Sequence, residues 1–415
     1  MSWQGSLRPL RERNFRWYFF SRFVNTLGNM MAGVALAFAV LDITDSATAL
    51  GQVLAAHTIP MLLFLLWGGV IADRFPRVPI IQVSNLVSGL AQAAIAFLVI
   101  TRTADLPTVI VLSAVHGTMS AMSLPAMGSL MPQLVPRGEL QRANTLMSLV
   151  RGGLTVIGPS VSALLVVTVG AGWALLIDAL TWFAAAALLL GMRVPHRAAE
   201  HTERPGTLAE LREGWDYFRR TTWLWLVVLT FCALNAIHSG AMSTLGPVIA
   251  KQTIGEQGWG VALSAEAAGL LLMTVVMLRF RLERPLLFGI LSISLVGLPM
   301  ILLGVYPHVG LLAVAMLAAG AGVEVFHLGW TLAMQENVDD RMLSRAYSYD
   351  ALGSFVAMPI GQLAAGPLGA AFGYTYVMVV AGIAYVAICL ATLASASVRT
   401  LARQPAVTVQ SAARP

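Results

Sequence analysis

Apolar residues gather into twelve long runs, near positions 17–41, 48–72, 78–101, 107–132, 143–168, 171–192, 223–247, 257–278, 285–305, 309–333, 346–369 and 373–395. Each has about the 20 residues that carry a helix across roughly 30 Å of hydrocarbon. A segment in lipid must satisfy its own backbone hydrogen bonds, so the pattern predicts an all-α protein with twelve transmembrane helices. The longest polar break, RVPHRAAEHTERPGTLAELREGWDYFRRTT, separates six runs from six. Its last part places Trp215 and Phe218 on one side, as in a helix lying on a membrane surface.

Charge turns this pattern into a topology. Of 415 residues, 57% are hydrophobic and 11% charged, against about 25% charged in a soluble domain. With the N-terminus in the cytoplasm, Arg8, Arg11, Arg13, Arg16, Arg74, Arg77, Arg137 and Arg142 fall on that side. So do the arginines of 193–220, 279–284, 341–345 and the tail, while Arg102 and Lys251 fall outside. This asymmetry predicts a multi-pass protein of the cell membrane with both termini cytoplasmic. It also explains the net charge of +6 without nucleic acid. Cys232 and Cys389 both lie in apolar runs and read as small core residues. No phosphate-binding Gly-x-x-x-x-Gly-Lys, metal-ligand spacing or Gly-x-Ser-x-Gly occurs, so neither an enzyme, a cofactor nor a metal is expected.

The two halves resemble each other. QLVPRGELQRANTLMSL follows the fourth run and QENVDDRMLSRAYSYDAL the tenth, with Arg142-Ala143 and Arg345-Ala346 placed 203 residues apart. Parallel six-helix repeats are a transporter architecture. The expected organisation is an N-terminal bundle over 1–192, a linker over 193–222, a C-terminal bundle over 223–397 and a disordered tail over 398–415.

Between the second and third runs the chain reads GGVIADRFPR, with Gly69, Asp73, Arg74 and Arg77. This resembles the Gly-x-x-x-Asp-Arg-x-Gly-Arg-Arg signature of the major facilitator superfamily, departing from it at Pro76 and Val78. SRFVNTLGNMM, LPAMGSLMPQLVPRGELQRAN, ELREGWDYFRR and QENVDDRMLSRAYS are similar to its drug:proton antiporter branch, which includes macrolide-efflux and enterobactin-exporter-like proteins. The resemblance implies two six-helix bundles and a conformational latch, Asp73 meeting the start of helix 11 near Ser344 to Ser348, with Arg142 and Arg345 at the repeat-related turns. Arg74 and Arg77 also suit plain topological anchors. In helix 5, RGGLTVIGPSVSALL keeps Gly158 and Pro159 of the exporters' motif without its later glycines, and Arg151 resembles a residue recurring there.

The resemblance implies that helices 1, 4, 7 and 10 line a central cavity, and each carries polar residues at helical spacing. These are Arg22, Asn25 and Asn29; Ser113, His116 and Ser120; Asn235, His238 and Met242; and Gly320, Glu324, His327 and Thr331. Steps of three and four put each set on one face. Glu324 and His327, one turn apart, can share a proton and are the first choice for coupling, though an inter-bundle hydrogen bond would use them equally well. Glu266 on helix 8 is the rival carrier or a gating residue. Asp350 is a further proton-coupling candidate, though it is expected first to open helix 11 and suit its dipole, and Asp178 on helix 6 to bond a neighbouring helix. Methionines such as Met119 suit an adaptable pocket, and Trp330 either stacks on a flat ligand or anchors the interface. The expected function is export of amphiphilic small molecules by a monomer in lipid, through proton antiport with alternating access. Uptake of a nutrient and a non-transporting sensor are the alternatives.

Overall fold

In the computed structural model, which describes residues 8–136, 139–192, 207–277, 279–280 and 282–401, no strand occurs among those residues. The first six spans are α1 (Arg13–Thr44), α2 (Ala47–Arg74), α3 (Arg77–Ile100), α4 (Leu106–Leu134), α5 (Leu140–Val169) and α6 (Ala171–Leu189). After a connecting helix, Thr207–Arg220, come α7 (Thr222–Gln252), α8 (Gly255–Met277), α9 (Pro285–Val305) and α10 (Val309–Asn337). α11 runs in two pieces, Asp340–Phe355 and Met358–Phe372, and α12 spans Tyr374–Leu393. Among the described residues, twelve helices are long and apolar enough to cross a membrane. With an even number of spans, both ends of the chain emerge on one face, here called the termini face.

Local chemistry sets where helices start and turn. Asp105 caps α4, its carboxylate accepting from the Thr108 amide at 3.1 Å and the Thr108 hydroxyl at 2.8 Å. Gly170 (φ +97°) joins α5 to α6 and Gly373 (φ +96°) joins α11 to α12. Only glycine adopts that backbone without strain, and the two stand 203 residues apart, the same offset as Arg142 and Arg345. α7 contains a π-helical stretch, Ser239–Leu245, where Gly240 lies against the Gly361 carbonyl.

Hydrogen bonds within each half follow the repeat. Ser162 on α5 donates to the Met31 carbonyl on α1 at 2.7 Å, and Ser239 on α7 donates to the Met358 carbonyl on α11 at 2.9 Å. The halves meet along two seams, α2 against α11 and α8 against α5, which the repeat exchanges. On the first seam Gln362 donates to Thr58 Oγ1 at 3.3 Å, and Gly51 and Gly366 leave no room for a Cβ. On the second, Ser160 and Ser264 share a hydrogen bond of 2.8 Å, and Gly260 packs on Pro159 and Ala163. At the face opposite the termini, Lys251 on α7 bridges to Asp42 on α1 at 2.7 Å.

Three expectations change. Helix 11 begins at Asp340, so Asp350 sits well inside its first piece and cannot act as a helix-start charge. The chain stays ordered past residue 397, because a turn over Ala396–Arg399 buries Val398 completely. The expected tail from 402 onward and linker residues 193–206 lie outside the described residues. The connecting helix rests on protein as well as presenting a surface: Trp215 and Phe218 each lie 5.7 Å, ring centre to ring centre, from Tyr349 of α11.

Candidate functional site: a two-lobed central cavity

Two cavities meet in the middle of the molecule. The first, about 410 Å³, is walled by α1–α4 and α6 and includes Arg22, Asn25, Asn29, His57, Gln92, His116, Met127 and Trp182. The second, about 330 Å³, lies between the halves and is walled by Met30, Pro159, His238, Met242, Trp259, Leu263 and Glu266. Gly33 and Leu54 border both.

The first lobe is aromatic and polar. The His116 ring stands edge-on to His57 at 5.3 Å and to Trp182 at 5.2 Å, measured between ring centres. Asn25 Oδ1 accepts from Arg22 at 3.1 Å, leaving the Asn25 amide nitrogen without a partner. The second lobe is apolar except for His238, Ser243 and Glu266. Among the described residues, no hydrogen bond or ion pair reaches the Glu266 carboxyl.

A symmetry relates the two sides. Gly117 of α4 packs against the backbone of His57 on α2, and Gly320 of α10 against the backbone of Glu266 on α8. Gly117 and Gly320 are again 203 residues apart. His57 and Glu266 thus occupy repeat-equivalent places, an imidazole facing one lobe and a carboxyl the other.

Of the residues expected to face a substrate, Asn25, Asn29, His116, His238 and Met242 border the lobes. The others do not. Asn235 donates to the Ser354 carbonyl at 2.9 Å and ties α7 to α11. Trp330 is buried, packs with Phe326 and Trp223, and donates its indole N–H to Asp350 at 2.9 Å. Asp350 also accepts from Ser354 at 2.9 Å, so its oxygens are engaged within the C-terminal half. Met119 is half-buried on α4 outside both lobes. Glu324 is half-buried and His327 exposed, and no α10 residue borders either lobe.

Gly158 packs against Met30 of α1 and Pro159 borders the second lobe, while Arg151 is exposed. Arg142 pairs with Glu139 at 2.7 Å, with Arg8 3.8 Å from the same carboxylate. Arg77 opens α3. Gly69, Asp73, Arg74 and Arg345 lie on described helices, but their side chains fall outside the described residues. Sequence reasoning missed His57, Gln92 and Trp182. A lone polar residue per helix gives no stripe, and the only signal was the scarcity of histidine, seven in the chain.

Comparison with known proteins agrees with this architecture. Residues 18–357 match the Major Facilitator Superfamily. The multidrug efflux pump Tap of Mycobacterium tuberculosis is 25% identical over 369 residues, covering 85% of this chain and 86% of that one. The staphyloferrin A transporter of Staphylococcus aureus is 24% identical over 265 residues, covering 63% and 66%. Among solved structures, the nucleoside transporter NupG shares the fold with a TM-score of 0.72 at 13% identity, covering 92% of this chain and 98% of its own. A bacterial homologue of the iron transporter ferroportin, in an inward-facing state, does so with 0.68 at 16% identity, covering 92% and 99%. With most of its length matched by that family, the chain belongs to the Major Facilitator Superfamily of membrane transporters.

Proposed function

We propose that the chain exports amphiphilic small molecules from the cytoplasm against protons, by rocking its halves about the paired lobes. The observation that carries this reading is the solitary Glu266 carboxyl in an otherwise mainly apolar chamber. Methionine and aromatic walls repack around varied shapes. A single carboxyl can hold a proton or face a cationic group, and one excludes the other. That exclusion is the elementary step of antiport. Each proton charge crossing the membrane supplies about 2.3 kcal/mol per 100 mV.

The names of two relatives, a multidrug efflux pump and a siderophore transporter, support the substrate class. The arginine distribution supports cytoplasmic termini. On that orientation the contacts at Asp42–Lys251 and Thr58–Gln362 close the outer side. The cluster of Gly69, Asp73, Arg74 and Arg77, with Arg142 and Arg345, would then latch the inner side in the opposite state. A monomer suffices, because both lobes are built within one chain. Glu266 takes precedence over Glu324 as the coupling group because it alone of the two borders a lobe.

The test uses inside-out membrane vesicles, a panel of cationic dyes and an imposed pH gradient, with expression matched. Glu266→Gln is expected to abolish gradient-driven accumulation while dye–dye exchange persists, and Glu324→Gln to keep both. Loss in Glu324→Gln with Glu266→Gln unaffected would move coupling to α10. A folded wild type that moves no dye would refute the export of amphiphilic cations.

A further inference from the structure

One acidic group in the membrane interior has no place in that scheme. Asp178 on α6 is fully buried. Gly28 of α1 packs so close that any Cβ there would strike its carboxyl. The indole of Trp182, the hydroxyl of Thr181 and the amide of Gln92 surround it. Neither carboxyl oxygen has a hydrogen bond, and the Trp182 N–H is unpartnered too; the Thr181 hydroxyl is spent on the Asp178 backbone carbonyl at 2.7 Å.

Among the described residues nothing charged compensates it. α1 presents Gly28, and its Arg22, nearly two turns away, is bonded to Asn25. α3 presents the neutral Gln92, and α4 reaches the group only through His116, which touches Trp182 rather than the carboxyl. The charged residues of α5, Arg142 and Arg151, lie roughly three turns or more toward the termini face. A carboxyl so placed is at ease as a neutral acid; as an anion it demands donors.

Two donors stand ready, and both are cavity wall. Trp182 and Gln92 border the 410 Å³ lobe. We propose that Asp178 is a proton-binding site whose ionisation draws Trp182 and Gln92 toward it, so that its protonation sets the shape of that lobe. In the protonated form the indole stays where it is, edge-on to His116. When the proton leaves, the carboxylate accepts from the Trp182 N–H and the Gln92 amide. The ring then shifts against His116, and the change passes to His57 across their contact. The proton exits to water in the lobe and returns by the same route, with no other bond made or broken. The transport side of this inference rests on the export reading; the binding of a proton at Asp178 does not.

The test is infrared difference spectroscopy of the full-length protein in lipid nanodiscs, titrated from acid to alkaline pH. The C=O stretch of a protonated carboxyl is expected to vanish with rising pH in wild type and to be missing in Asp178→Asn. In Trp182→Phe, where the anion loses a donor, the same band should vanish about one pH unit higher. Superimposable wild-type and Asp178→Asn spectra would overturn the proton site. An unmoved midpoint in Trp182→Phe would overturn its link to the cavity wall. Should Asp178→Asn fail to fold, Trp182→Phe and Gln92→Leu carry the same comparison, since both keep the carboxyl.

In the vesicle assay, Asp178→Asn should keep dye–dye exchange and lose uphill accumulation. Unimpaired uphill transport by Asp178→Asn, in vesicles where wild type moves dye, would overturn the inference and leave the export reading standing. If wild type moves no dye, the export reading falls and the infrared titration still decides the fate of Asp178.

Discussion

His57 and Glu266 show what a single side chain decides here. Both sit on helices whose neighbours approach through a glycine, Gly117 or Gly320, so backbone meets backbone and the side chain is left to turn into a lobe. Gly28 instead makes room for the side chains of Asp178 and Thr181, and Gly28→Ala is expected to lower stability by about 1–3 kcal/mol through overpacking, read as a drop in melting temperature of the purified protein. Outside the membrane, hydrogen bonds from Thr108 hold the exposed Asp105 carboxyl below its ordinary value. Its contribution to stability is therefore full above the unfolded value of about 3.9 and disappears as pH falls through the lower folded one. Thermal melts between pH 2 and 7 should show this acid limb in wild type and not in Asp105→Asn. At this scale the sequence was half legible. Polar spacing on α1, α4 and α7 marked Asn25, Asn29, His116, His238 and Met242. It also marked Asn235, which turns to α11, because periodicity identifies a face without saying whether cavity or helix lies opposite. Trp330, open in the sequence between stacking on a flat ligand and anchoring the interface, and Asp350, expected at a helix start, hydrogen-bond each other.

Helices were far more legible than side chains. Twenty apolar residues between polar breaks admit one solution in lipid, and the spans fall within a few residues of the expected positions. Interruptions were not readable: nothing in SGAMSTL distinguishes a π-helical stretch from an α-helix by composition. The connecting helix was readable as amphipathic, yet its docking on Tyr349 depends on where α11 stands. Phe218, 8% exposed, is the anchor. Phe218→Ala should cost about 3–5 kcal/mol, detected as faster proteolysis of the linker. The turns between α5 and α6 and between α11 and α12 are the other sensitive points. Gly373→Ala is expected to destabilise by about 1–2 kcal/mol, because its positive φ brings a Cβ against the carbonyl oxygen, and a Gly170→Ala protein should melt similarly early.

Across the whole molecule, one offset of 203 residues relates the arginines near the starts of α5 and α11, the glycine turns after them and the glycines that seat His57 and Glu266. The repeat exchanges the α2–α11 seam with the α8–α5 seam, so each half meets the other through equivalent helices. Rocking about such a junction requires the contacts at the face opposite the termini to part. A Thr58→Cys/Gln362→Cys pair on the α2–α11 seam, in a background lacking Cys232 and Cys389, should be joined by a short bis-methanethiosulfonate reagent, the native side chains meeting at 3.3 Å. Cross-linking should stop transport, and a reductant should restore it.

The bridge from Lys251 to Asp42 has a practical corollary. Lys251 is the only lysine in the chain, so apart from the α-amino group a single primary amine exists, and it sits in an α7–α1 contact between the halves that the proposed rocking would open. Amine-reactive reagents therefore address one position by chemistry alone, with no engineered cysteine. Paired with a carboxylate at 2.7 Å and only 31% exposed, that amine should label slowly while the face is shut and quickly once it opens. On the rocking reading, the natural protein carries its own reporter of which way it faces.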